Sequence, residues 1–268
     1  MCGTCGCGTE EGGVKILHLH DEHNHEHDHE HQHDHHGHHH DHNHDHHHSH
    51  HKKVIEVEQD VLHHNELHAQ RNKGYFEAKN ILALNLVSSP GSGKTAILER
   101  TLTHFKNKIP CYVIEGDQQT MNDARRIAET GTPVIQINTG KGCHLESDMV
   151  YRAVQELEMK DHSILMIENV GNLVCPSMFN LGESKRIVII STTEGEDKPL
   201  KYPDMFYTSD LCIINKTDLL PYLDMNVEEL KNNALKINPN LKFFELSATK
   251  GDGLDAWYSW LKKEFKGV

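Results

Sequence analysis

Residues 81–102 read ILALNLVSSPGSGKTAILERTL: an apolar run, a loop of small residues, then an apolar-patterned stretch beginning at Lys94. An apolar run of this length, interrupted only at Asn85 and bounded by turn residues, predicts a buried strand of the kind found in parallel sheets. SSPGSGKT between a strand and a helix is a phosphate-binding loop in the context that such a loop needs. The loop from Pro90 through Gly91, Ser92 and Gly93, with Ala96 on the first helical turn, cradles phosphates. Lys94 reaches the β and γ oxygens, and the Thr95 hydroxyl coordinates Mg²⁺. Ser88 stands where the usual pattern has its first glycine, while Gly91 and Gly93 still allow close backbone approach. The fold class that follows is α/β: a doubly wound, mostly parallel sheet carrying a P-loop.

The base is read further on, in LCIINKTDLL, where an apolar strand delivers Asn215, Lys216 and Asp218. A carboxylate at Asp218 accepts both the N1–H and N2–H of guanine, and adenine offers no such pair of donors, so GTP is expected over ATP. Ser247, Ala248 and Thr249 resemble the loop that closes over guanine in such proteins. Asp117 ends the strand CYVIEGD and Glu168 ends SILMIE, with Gly171 three residues later. A carboxylate at a strand end beside the P-loop holds Mg²⁺ directly or through water, and a nearby glycine N–H senses the γ-phosphate. Either acid also fits a plain exposed strand end. Lys94, Thr95, Asp117 and Glu168 form the expected catalytic set. Gln118 and Gln119 follow Asp117, but no residue declares itself as the one that positions the attacking water.

A second chemistry is written in the thiols. Cys2, Cys5 and Cys7 form C-x-x-C-G-C, with glycines that let three thiolates converge on one soft or borderline ion such as nickel; a redox pair or a frayed terminus is the alternative. From His18 to His51 the chain is a His/Asp/Glu run without apolar periodicity, expected to be disordered without metal and to buffer nickel, zinc or copper. Within the domain, Cys143 and His144 lie in NTGKGCHLES and Cys175 in GNLVCPS; both loops are expected at the C-terminal edge of the sheet, where a nickel or zinc site would form if the fold brings them together. Cys111 and Cys212 read as small core residues.

The composition sets limits. A net charge of -13 with neutral histidine, 26 of which are present, argues against a nucleic-acid binder. The apolar runs are too short to span a membrane, no targeting segment is visible, and seven cysteines without an export signal read as reduced thiols, so a cytoplasmic protein is expected. Three regions follow: a Cys-rich N-terminus at 1–17, a His-rich tract at 18–51 and a GTPase domain at 52–268. The domain opens with an expected helix over 54–80, carrying Val61, Leu62, Leu67 and Tyr75 among polar residues. His63, His64 and His68 on it read as surface residues that could extend the histidine reservoir.

MCGTCGCG, the His-rich run, VSSPGSGKT, EGDQQT, GKGCHLES, IENVGNLVCP, NKTD and SAT together resemble the nickel-inserting GTPases of [NiFe]-hydrogenase maturation, the HypB family. The resemblance implies a dimerising P-loop GTPase with a tight N-terminal nickel site and a weaker nickel or zinc site at Cys143, His144 and Cys175. It also implies four partners: a second copy, a zinc-binding accessory protein, a peptidyl-prolyl-isomerase-like nickel protein and the hydrogenase large-subunit precursor. The related urease-maturation GTPases usually carry Cys-Pro-His, which this chain lacks. A passive nickel store is set against the intact P-loop and NKTD, and an ATP-driven partitioning protein lacks NKxD.

Overall fold

The computed structural model describes residues 15–18, 50–118 and 121–266. The strands are β1 Lys15–His18, β2 Ile81–Ser88, β3 Cys111–Asp117, β4 Val134–Asn138, β5 Ser163–Glu168, β6 Lys185–Ser191, β7 Leu211–Asn215 and β8 Lys242–Glu245. The helices are α1 His50–Ala78, α2 Lys94–Phe105, α3 Asn122–Glu129, α4 Ser147–Glu156, α5 Cys175–Met178, α6 Lys198–Lys201, α7 Pro203–Tyr207, α8 Val227–Ile237 and α9 Leu254–Lys266; a 3-10 turn covers Thr217–Tyr222. The sheet runs β1-β4-β3-β5-β2-β6-β7-β8. Strands β2 to β8 are parallel, and among the described residues only the edge strand β1 is antiparallel, against β4. That edge strand, which no sequence signal announced, lies in the segment read as metal-binding N-terminus. The N-terminal thiols Cys2, Cys5 and Cys7, nearly all of the histidine tract, and Gln119 lie outside the described residues.

The buried-strand reading of β2 holds because both its faces are covered, and the polar side chain inside it, Asn85, is satisfied by Glu183 at 3.0 Å. Leu82, Leu84 and Leu86 pack on Ile97, Leu98 and Phe105 of α2 and on Trp257 and Leu261 of α9. Ile81 and Ala83 point the other way, toward Phe76 of α1 and Val150 and Ala153 of α4; Val87, on that side too, joins Met205, Phe206, Leu230 and Ala234 of α7 and α8. Such two-sided burial is what period-2 alternation cannot show and a continuous apolar run does. Cys212 sits inside this core and Cys111 half-buried at the start of β3; burial pushes both thiols up, Cys111 to about 12, so neither is a ready thiolate.

The helix expected over 54–80 is present as α1, His50–Ala78, but its apolar residues Val61, Leu62 and Leu67 are exposed at 44, 38 and 59%. The buried line is instead Asn65, Ala69, Asn72 and Phe76, with Tyr75 half-buried beside it. Polar side chains make this contact because they meet loop backbone, not an apolar face. The Asn65 Oδ1 accepts the Ser147 N–H at 2.8 Å, and the Ser147 hydroxyl donates to the Asn65 carbonyl at 2.6 Å. The Asn72 amide donates to the carbonyls of Ser147 and Leu181 at 2.8 and 3.0 Å. These bonds satisfy buried carbonyls and an N–H that would otherwise be orphaned, and they fix the start of α4 against α1.

Candidate nucleotide and metal sites

The end of β2, its loop and the start of α2 form a phosphate cradle. Gly93 precedes α2 at φ 97°, a left-handed conformation, and a Cβ there would lie 2.4 Å from the Asn215 amide nitrogen. Only glycine fits that close approach. The Asn215 amide donates to the Ser92 carbonyl at 2.8 Å, and the Lys216 ammonium donates to the Gly91 carbonyl at 2.7 Å, so the segment expected to read the base supports the phosphate loop. The Asn215 Oδ1 accepts the Ala248 N–H at 3.1 Å, and the Ser247 hydroxyl donates to Asp218 at 2.6 Å. The residues expected to read guanine thus converge, with one Asp218 oxygen oriented by Ser247.

A cleft of about 320 Å³ lies beside the cradle, lined by Lys94, Thr95, Ala96, Asp117, Glu168 and Gly171 among others. The Lys94 ammonium donates to the Ser88 hydroxyl at 2.8 Å, and the Thr95 hydroxyl donates to the Glu168 Oε1 at 2.8 Å. The Asp117 carboxylate accepts the Gln118 N–H at 2.7 Å. Gly171 backs onto Pro90, where a Cβ would stand 3.2 Å from the proline. A wider depression of about 570 Å³ lies at the opposite end of the sheet, lined by Lys106, Lys108, Thr130, Pro133 and Lys160, and holds none of these groups.

Sequence reasoning missed Glu115, Asp123, Arg126 and Asn169, all lining the same cleft. Glu115 is 2% exposed, and its carboxyl is pushed up to about 9, by burial first and then by the charges of Glu168 and Asp117. Glu168 is raised to about 7, by burial opposed by Lys94 and the Thr95 hydroxyl. One oxygen of each, Oε2, is buried without a hydrogen-bond partner. Two buried carboxyls with orphaned oxygens beside a threonine hydroxyl fit a hard divalent cation, which prefers oxygen ligands. The signal that could have found Glu115 is its place two residues before Asp117, on the same face of β3.

The second set also assembles. One ligand atom each from Cys143, His144 and Cys175 lie within 4.8 Å of one another. The Cys143 sulfur is 3.6 Å from the His144 Nδ1, the His144 Nε2 is 3.6 Å from the Glu146 Oε1, and the His144 ring stacks on Phe179 at 3.8 Å between centroids. His144 and Cys175 are buried and Cys143 half-buried. His144 holds the Glu146 carboxyl below the usual range, with a lesser contribution from His64. Two sulfurs and an imidazole suit a borderline ion such as nickel or zinc, and a carboxylate on the far imidazole nitrogen is the usual outer partner of a metal-bound histidine.

The two sites touch. The Asn169 Oδ1 accepts the N–H of Leu145, next to His144, at 3.1 Å and the N–H of Val170 at 3.0 Å. The Asn169 amide donates to Asn85 at 3.3 Å, and the Asn85 amide donates to Glu183 at 3.0 Å. Glu183 pairs with Arg186 at 2.9 Å, and Arg186 donates to the carbonyls of Ser177 and Phe179 at 3.0 and 2.8 Å, pinning the segment that carries Cys175.

Residues 82–245 match the family described as CobW/HypB/UreG, nucleotide-binding domain. The chain is 54% identical over 213 residues to the hydrogenase maturation factor HypB of Escherichia coli K12, covering 80% of this chain and 73% of that one. It is 42% identical over 197 residues to the hydrogenase/urease maturation factor HypB of Helicobacter hepaticus, covering 72% of this chain and 81% of that one. Among solved structures, it superposes with TM-score 0.71 on HypB from Helicobacter pylori in complex with nickel, at 39% identity over 76% of this chain and 95% of that one.

Proposed function

Because this chain belongs to the CobW/HypB/UreG nucleotide-binding family, among its hydrogenase maturation factors of the HypB type, we propose that it is a GTP-hydrolysing nickel metallochaperone serving the [NiFe]-hydrogenase large subunit. The observation that carries this reading is that the acid-lined phosphate cleft and the Cys143, His144 and Cys175 cluster share one sheet edge and one stretch of chain, from Glu168 to Cys175.

In this reading the loop from Pro90 to Ala96 holds the phosphates, and Asn215, Lys216, Asp218, Ser247 and Ala248 hold guanine. Thr95, Glu168 and Asp117 hold Mg²⁺, which when bound neutralises the charge of the β- and γ-phosphates. Lys94 leaves Ser88 for the phosphate oxygens, and water displaces GDP from the γ-phosphorus, giving GDP and phosphate. Nickel is the cargo. Cys2, Cys5 and Cys7 take it tightly, the histidine tract at 18–51 stores it, and the domain cluster, open also to zinc, passes it on. The protein works in the cytoplasm as a homodimer with a zinc-binding accessory protein and a peptidyl-prolyl-isomerase-like nickel protein. The double name of the Helicobacter hepaticus relative supports urease as a second client. No helix of the described residues is long and apolar enough to cross a membrane.

The test measures nickel stoichiometry and GTP turnover on the same preparation, with and without residues 1–51. Turnover that survives the deletion together with a reduced nickel count supports the reading. Absence of turnover in either form would reduce the protein to a nickel store.

A further inference from the structure

Three groups beside the thiol cluster are left unused by the proposed function. Asn65 and Asn72 stitch α1 to the first residue of α4, and this fixes which α1 side chains face that helix. His64 and His68 lie one position before Asn65 and Ala69 of the buried line, so they stand along the rim of the α1–α4 seam, one helical turn apart. Their rings are 4.7 Å apart between centroids, tilted by 52°. The His68 Nδ1 is buried without a hydrogen-bond partner and faces the Asp148 Oδ1 from 4.0 Å. The other Asp148 oxygen is taken by Arg152 at 2.6 Å, which leaves Oδ1 to face His68. His64 is exposed, so its ring can swing toward His68 at little cost.

We propose that His64, His68 and Asp148 form a further divalent-metal site, on the α1–α4 seam, that takes a borderline cation such as Ni²⁺ or Zn²⁺. Two imidazoles at i and i+4 of a helix converge on one ion, as in helical zinc motifs, and a carboxylate completes three protein ligands. The remaining positions belong to water, as expected for a site that exchanges its ion. An orphaned buried nitrogen aimed at a carboxylate from beyond hydrogen-bond reach is what an ion between them would repair. The site stands on α1 and α4 alone and does not depend on the assignment of Cys143, His144 and Cys175.

The test is a Zn²⁺ titration of the full chain followed by long-range ¹H–¹⁵N spectra of the histidine rings, with His64 and His68 assigned through His64→Gln and His68→Gln. Both rings are expected to shift together, and either substitution should abolish the shift of the other ring. Asp148→Asn should weaken the apparent affinity by at least the roughly tenfold that loss of an outer partner of a metal ligand costs. All of this should persist in Cys175→Ala, which separates the site from its neighbour. The proposal is overturned if the two rings respond independently, if their shifts vanish with Cys175→Ala, or if they stay still once the other histidines have saturated.

Discussion

In the proposed reading Asp218 presents guanine with a carboxylate; one of its oxygens is already aimed by the Ser247 hydroxyl at 2.6 Å. Converting it to asparagine keeps the size but replaces one acceptor with a donor, facing the donors of the base. Asp218→Asn should therefore lose roughly 1–3 kcal/mol of GTP binding, about one to two decades in Kd, with little loss for ATP; equal losses for both nucleotides, by calorimetry, would remove Asp218 from base recognition. Glu115 makes a different prediction. Its folded carboxyl, at about 9, titrates well above the ordinary value of 4.5. An acid raised on folding destabilises the fold wherever the unfolded chain has already released its proton. The penalty is absent below about 4.5, grows through the window and is complete above about 9. Without nucleotide or Mg²⁺, Glu115→Gln should thus be more stable than the parent by a margin that widens from about pH 5 to about pH 9; a margin that is flat or shrinks with pH, in thermal melts, would contradict the burial argument. NKxD and the P-loop were legible because their spacing is dictated by the ligand. Glu115 was not, because a glutamate inside an apolar strand belongs to no motif and only its place two residues before Asp117 hints at it.

At the scale of elements, the seam between α1 and α4 was the part that periodicity could not find. A helix packed on loop carbonyls uses asparagines where a helix packed on a sheet uses leucines, so the apolar residues Val61, Leu62 and Leu67 do not mark the packed face and are exposed. The strands were legible for the opposite reason, since a parallel sheet covered on both sides leaves no polar alternation to confuse the reading. Asn72→Ala leaves the Ser147 and Leu181 carbonyls without their shared donor and should cost about 1–3 kcal/mol in urea unfolding. Gly182→Ala should act at the same seam. Gly182 has φ +84°, and a Cβ there would meet the Ala69 carbonyl oxygen at 2.4 Å and the Asn72 Cβ at 2.8 Å, backbone and stem atoms that cannot swing aside. Because Ser147 follows the Cys143–Glu146 loop, either change should also weaken metal binding at Cys143 and His144. Destabilisation with unaltered zinc affinity would show that the loop is held from elsewhere.

Across the whole molecule, the proposed nucleotide and metal sites are joined by three links among the described residues, only one of which the sequence announced. The announced link is covalent, the run from Glu168 through Gly171 to Cys175. The second is Asn169, whose side chain holds the Leu145 N–H while its backbone follows Glu168. The third is steric: Gly116, between Glu115 and Asp117, lies so close to Leu145 that a Cβ would come within 2.8 Å of its side chain. A γ-phosphate with its Mg²⁺ would hold Glu168 and Gly171 in one arrangement and release them on hydrolysis. A displacement of about an ångström in Leu145 or Cys175 is enough to spoil a metal site, since ligand distances are tolerated to roughly ±0.2 Å. Linkage then requires reciprocity: a tenfold effect of GTP on nickel affinity, about 1.4 kcal/mol, obliges nickel to change GTP affinity tenfold. Nickel and zinc titrations of a variant lacking residues 1–51, in GDP and in a non-hydrolysable GTP analogue, should give affinities differing by about that factor. Asn169→Ala should shrink the difference while leaving each ligand set intact, and Cys175→Ala should abolish it. If affinities are equal in both nucleotide states, or a difference outlives Cys175→Ala, the domain cluster is a structural metal site and the handing over of nickel belongs to the N-terminal residues instead.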